Sequence, residues 1–218
     1  MAFVQVSASV QTTGASSLSP SLTGVVSGNS LVYGISMWHA SAPASTPPTD
    51  YTEVFESAAS DGAKAAQGYR LSAPSGTNTP SIGLTASSWG RAYLLEYDTL
   101  DTPEANNTGT GSSTAPSSGA ITVGGTTSIA IGVMTGTSDP ITITPNGSWT
   151  QRAESENQSA GQAINIEEIT GVSGSQTATW TTVQNGPWAA GVASYPPGSA
   201  PPASIPELIT APYRHLRR

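Results

Sequence analysis

Apolar residues along this chain alternate with polar ones far more often than they recur at helical spacing. Phe3-Val4-Gln5-Val6-Ser7-Ala8-Ser9 places Phe3 on one face of an extended segment and Val4 and Val6 on the other. Similar segments follow at Leu31–Trp38, Tyr51–Ser57, Ala65–Leu71, Ser81–Ser87 and Arg91–Tyr97. Beyond these come Ala120–Val123, Ile129–Thr135, Ile141–Thr144, Trp149–Glu154, Ala163–Ile169, Gln176–Thr181 and Ala189–Tyr195. Clusters of Gly, Pro, Asn and Ser separate them, which predicts short strands joined by turns. Many strands without intervening helical patterns predict an all-β protein, a sandwich or barrel.

The pattern repeats itself. Leu31-Val32-Tyr33-Gly34-Ile35 aligns with Ile129-Ala130-Ile131-Gly132-Val133, 98 residues later. At the same offset Tyr51–Ser57 aligns with Trp149–Ser155, Lys64-Ala65 with Gln162-Ala163, and Leu94–Tyr97 with Val192–Tyr195. The spacing predicts an internal duplication. The expected architecture is two tandem antiparallel β-sandwich modules, jelly-roll-like, over residues 1–98 and 99–196, followed by an extended arm over 197–218. Each copy has its own large core candidates: Trp38, Tyr51, Tyr69, Trp89, Tyr93 and Tyr97, then Trp149, Trp180, Trp188 and Tyr195. A module of this size buries a small fraction of its surface, so the two are expected to lean on each other.

Composition narrows the functional classes. Only 10% of residues are charged, against roughly 25% in an ordinary soluble domain. No stretch approaches the ~18 consecutive apolar residues of a membrane-spanning helix. Cys 0 removes disulfides, thiolate metal sites and cysteine nucleophiles. The formal charge is −7, yet Arg214, Arg217 and Arg218 sit in the last five residues. The body is therefore more acidic than the whole chain, which argues against its binding nucleic acid. The first ten residues have neither a basic nor an apolar run, so no cleavable signal peptide is expected.

Catalytic signals are sparse. His39 follows Trp38 at a strand end, and His215 lies in the basic tail. Two histidines so far apart form no metal cluster, and no G-x-S-x-G elbow accompanies them. Glu167 and Glu168 are neighbours that point to opposite faces of a strand. Glu154 with Glu156, and Glu96 with Asp98, share a face, a spacing that any strand supplies without implying glycoside hydrolysis. Asp98, Asp101 and Glu104 lie in the segment joining the two copies and lack the ordered spacing of a calcium loop, so a solvated linker is expected. The sequons at Asn106, Asn146 and Asn157 are as many as chance supplies at this Ser/Thr content. No enzyme activity, metal or cofactor is expected.

The C-terminus reads differently. Pro196-Pro197-Gly198-Ser199-Ala200-Pro201-Pro202 begins an extended, semi-rigid spacer. It leads to Glu207–Arg218, where Leu208, Ile209, Tyr213 and Leu216 alternate with Arg214, Arg217 and Arg218. These seven residues are the expected partner-binding set. Eleven spacer residues at roughly 3.1 Å each reach about 34 Å, past the radius of a small module.

The turn Pro145-Asn146-Gly147-Ser148-Trp149-Thr150 and the small-residue closing strand Trp188–Tyr195 resemble a recurring pattern in bacteriophage virion proteins built of Ser/Thr/Gly-rich β-sandwiches. The first copy's turn is Pro48-Thr49-Asp50-Tyr51-Thr52. The resemblance spans about residues 20–197. It implies a non-enzymatic structural protein of a tailed phage, a capsid decoration protein docking on the shell. The alternative it leaves is a tail or fibre component that binds carbohydrate or a receptor, with Trp38, Trp89 and Trp180 as candidate aromatics. The implied partners are a major capsid or tail protein and further copies of the chain. The implied location is the virion, assembled in a reducing host cytoplasm, where cysteines and signal peptides are dispensable.

Overall fold

Alternating segments become strands throughout, and no helix occurs among the residues described by the computed structural model, 1–41, 44–137, 142–155 and 163–198. In chain order the strands are β1 (Phe3–Val6), β2 (Val10–Leu18), β3 (Leu22–Val25), β4 (Ser30–Trp38) and β5 (Ser45–Thr46). Next come β6 (Thr52–Ala58), β7 (Ala63–Arg70), β8 (Gly76–Asn78), β9 (Ile82–Tyr97) and β10 (Ala105–Ser113). The last are β11 (Ser117–Gly136), β12 (Ile143–Pro145), β13 (Thr150–Ser155), β14 (Ala163–Thr182) and β15 (Gly186–Tyr195). The chain is all-β and antiparallel, as its periodicity predicts.

Six of the expected strands fuse pairwise into three long ones. Ser81–Ser87 and Arg91–Tyr97 are halves of β9, Ala120–Val123 and Ile129–Thr135 of β11, and Ala163–Ile169 and Gln176–Thr181 of β14. Each joint is rich in Gly, Ser or Thr and so reads as a turn, while the backbone keeps pairing through it. Three strands have no alternation to announce them. β10 (ANNTGTGSS) has no buried residue, β2 (VQTTGASSL) buries Leu18 alone, and β3 (LTGV) buries Leu22 and Val25 at its two ends.

The chain builds two main sheets from its two halves. Sheet 1 has the order β1-β9-β4-β7-β6, with β2 and β5 also pairing with β9. In sheet 2, β10, β15, β11 and β14 follow one another, and β14 pairs with β13 along its first half and β12 along its second. The central run is thus the same in both: a late strand, an early strand, then a hairpin.

Each half folds back over the outer face of its own sheet. In the first half Leu18, Leu22, Val25, Ile82 and Leu84 cover Leu31, Tyr33, Ile35 and Met37. In the second, β11 and β14 fall out of register between Val123 and Ser128, and Gly171 takes φ +67°. The hairpin bends there and lays Ala178 and Trp180 over Gly132. These two outer cores are separate clusters. A third and larger one lies between the sheets, where Val32, Phe55, Tyr93, Leu95 and Tyr97 meet Ile131, Val133, Ile166, Ala193 and Tyr195. The halves are therefore individually cored and also joined through one common apolar layer.

Residues aligned by the 98-residue spacing face opposite ways in β4 and β11. Leu31 faces an outer core while Ile129 faces the inner one. The residue of β4 that shares a face with Ile131 is Val32, two places from Gly34 as Ile131 is from Val133. A slip of one reverses every side chain of a strand. In β9 and β15, Tyr97 and Tyr195 both point inward.

The segment 98–104 is pinned in place. Leu100 is buried and bridges Pro197, Asp101 N donates to Pro196 O at 3.0 Å, and Glu104 N donates to Ser194 O at 3.0 Å. The expected solvated linker is instead a strap across the exit of β15.

Glycines set the sheet-to-sheet distance. A Cβ on Gly191 would lie 2.2 Å from the Phe55 ring, and one on Gly34 would lie 2.5 Å from Ile166 Cδ1. Gly191→Ala should therefore lower stability by about 1–3 kcal/mol, as expected of overpacking. Urea unfolding should show a lower midpoint.

Candidate functional site

A surface cleft of about 490 Å³ lies on the first half. One wall is the segment 46–51 between β5 and β6, and the other is 77–83, leading from β8 into β9. The walls are stiff for local reasons. Pro47 and Pro48 fix their own φ angles, and Tyr51 N donates to Pro48 O at 2.9 Å. Asn78 Nδ2 donates to Pro74 O at 3.0 Å, and the hydroxyls of Thr79 and Ser21 lie 2.8 Å apart.

Two charges meet at this cleft. Arg70 Nη1 lies 3.2 Å from Asp50 Oδ2, with the Asp50 side chain 63% exposed and that of Arg70 24%. The Tyr51 hydroxyl is buried without a hydrogen-bond partner. Burial pushes its pKa up to about 12 against the opposing pull of Arg70, so it remains neutral. Sequence motifs give no hint of the pair. The hairpin does: β6 and β7 align Thr52 with Tyr69, which brings the residues just outside, Asp50 and Arg70, together.

The aromatic candidates separate. Trp38 and Trp89 are direct cross-strand partners with ring centroids 5.6 Å apart, tilted at 40°. Trp89 is 39% exposed, and Trp38 Nε1 is fixed to Asp61 O at 2.8 Å. Trp180 is fully buried and donates to Asn165 Oδ1 at 3.1 Å, so it belongs to a core and cannot serve as a surface platform.

The carboxylates singled out in the sequence are mostly structural. Glu96 is buried and accepts from Asn29 Nδ2 at 2.7 Å, Val26 N at 2.8 Å and Gln5 Nε2 at 2.5 Å. Asp98 accepts from Ala2 N at 2.6 Å. Glu168 points inward, where Tyr97 Oη donates to it at 2.8 Å and Arg152 pairs with its other oxygen. Arg152 in turn lies 4.3 Å over the Phe3 ring. His39 sits at a loop edge, as expected, with Nδ1 2.7 Å from Ser41 Oγ. Glu156 and Asn157 lie outside the described residues. So do Leu208, Ile209, Tyr213, Arg214, Leu216, Arg217 and Arg218. No group of three or more side chains suited to a metal ion occurs among the described residues.

Glu167 is the exception. It points to the outer face beneath Trp180, is 0% exposed, and neither carboxyl oxygen has a partner. Burial raises its pKa to about 9, so it is a neutral acid at pH 7. Its place in sheet 2 matches that of Gly68 in sheet 1. There Tyr33 on the neighbouring strand fills the space over Gly68, whereas in sheet 2 Ala178 and Trp180 cover Gly132, with its cross-strand partner Glu167 beside them.

Comparison with known protein families, with curated proteins and with solved structures gives no match to this chain.

Glu167 makes stability depend on pH. Its carboxyl ionises near 4.5 when unfolded and near 9 when folded. Between those values the folded state holds a proton that the unfolded state has lost, so stability falls as pH rises through that window. The limiting slope is about 1.4 kcal/mol per pH unit. Glu167→Gln should flatten that slope in urea unfolding at a series of pH values, and should raise stability most at pH 8–9 (roughly the top of the window).

Proposed function

We propose that this chain is a non-enzymatic structural component of a phage virion, a decoration protein that docks on the capsid shell. The observation that carries the reading is the distribution of charge. Among the described residues only Asp50, Asp101 and Glu104 are both charged and exposed, and none of them is a cation. Lys64, Arg91, Glu96, Glu167 and Glu168 are buried. The remaining surface is largely Ser, Thr, Asn and Gly. Such a surface suits close packing of many copies, because short side chains lose little rotamer freedom on contact. It also presents few like charges to repel a neighbour.

The chain's exit fits docking by an arm. Pro197 is tied to Leu100, at the end of the described chain. The sequence beyond is a proline-rich spacer followed by Leu208, Ile209, Tyr213 and Leu216 among three arginines. Exposed arginine pairs contribute little alone, so the apolar side chains supply most of the affinity in this reading. The body offers the arginines only three exposed carboxylates among its described residues, which favours a partner elsewhere.

Deleting residues 205–218 should leave the thermal midpoint of the isolated protein nearly unchanged. The same deletion should sharply reduce its recovery in purified particles. Recovery at the wild-type level would reject the arm as the docking element.

A further inference from the structure

The cleft between 46–51 and 77–83 plays no part in the docking reading. We propose that it binds a neutral, hydroxyl-rich ligand, a pyranose sugar, with Asp50 and Arg70 holding two adjacent hydroxyls. Its volume, about 490 Å³, falls within the ~300–1,000 Å³ of small-molecule sites and accommodates one or two sugar rings.

The charge balance selects the ligand class. Among the described residues Arg70 is the only cation lining the cleft, and Asp50 lies 3.2 Å from it. An anion would gain the guanidinium and meet the carboxylate; a cation would meet the reverse. A neutral diol uses both, since one hydroxyl donates to the carboxylate while the other accepts from the guanidinium. The exposed side of Asp50 leaves that carboxylate open to a ligand without breaking the fold.

The lining supports the same class. Thr46, Thr49, Thr77 and Ser81 line the cleft as exposed hydroxyl residues, and Pro47 and Pro48 add half-buried apolar rings. This mixture matches a sugar, which offers hydroxyls at its edge and C–H groups on its faces. The stiff walls reduce the ordering cost of binding.

The test uses the full chain and nuclear magnetic resonance. Galactose, glucose and N-acetylglucosamine are titrated separately, with inorganic phosphate as the anionic probe. At least one sugar should shift the amide signals of 46–51 and 77–83 with millimolar affinity. Phosphate should not. Asp50→Asn, which keeps shape, and Arg70→Gln should each weaken binding about tenfold. Trp89→Ala, at the aromatic pair on the other face, should leave it unchanged.

Binding of the free sugar, or only of the same sugar within a neutral polysaccharide, supports the proposal and tells a soluble source from a surface-bound one. The proposal falls if no sugar in either form moves those signals. It falls equally if phosphate moves them instead, or if Trp89→Ala removes binding that Asp50→Asn preserves. Particle recovery of the 205–218 deletion reads a different part of the chain, so the two ideas fail separately.

Discussion

Mutual indentation of the two sheets is the constraint on which the rest of the molecule depends. Sheet 1 carries Gly34 on its inner face and admits Ile166 and Val133; sheet 2 carries Gly191 and admits Phe55. Each sheet is thus a hole where the other is a knob, and neither can slide without a clash. Around these contacts the tyrosines cross the interface in both directions. Tyr97 donates to Glu168 of the second half, and Tyr195 donates to Gln67 Oε1 of the first at 2.9 Å. Burial raises the pKa of both hydroxyls well above the ordinary value, so they remain donors across the accessible range. The apolar layer supplies attraction without direction, and the glycines and tyrosines fix register.

The same closure consumes much of the little charge the chain has. Glu168 is held by Tyr97 and Arg152 within the interface, and Lys64 meets Glu56 at 2.5 Å along the first half. A chain with few charged residues therefore shows even fewer to solvent. Hydration of the described surface then rests on hydroxyls and amides, which impose no strong sign on it. The same scarcity of exposed charge underlies both the proposed packing surface and the proposed uncharged ligand.

Strand existence was legible where apolar residues alternate, as at β4, β7 and the second half of β9. It was illegible at β2, β3 and β10, whose Ser, Thr, Gly and Asn residues carry no face preference. The cleft was illegible for a related reason: Asp50, Arg70 and the hydroxyls around them are ordinary turn and strand-end residues until hairpin pairing assembles them. The aromatic candidates were half legible. Trp89 is exposed, but nothing in its sequence neighbourhood distinguishes it from Trp180, which the bent β11–β14 hairpin buries.

Likeness between the halves is carried by pairs of residues. In sheet 1, Tyr33 stands opposite Gly68; in the matching place of sheet 2, Gly132 stands opposite Glu167. On the inner face Gly34 stands opposite Tyr93, and Val133 opposite Gly191. In each case the large residue has changed strands while a large-and-small pair is kept. An alignment that scores single positions sees Tyr against Gly and Gly against Glu, and counts two mismatches where packing counts one match. It also gains by sliding β4 one residue to set Leu31 on Ile129, which reverses the faces. Volume summed across hydrogen-bonded neighbours survives the exchange, so the paired ladder, read with its parity, is the level at which the two halves are comparable. The exchange is not neutral in every respect. Tyr33 and Glu167 both bury oxygens without a partner, but burial moves the acid to about 9 and leaves the phenol above its ordinary value, so of the two only Glu167 titrates within the accessible range.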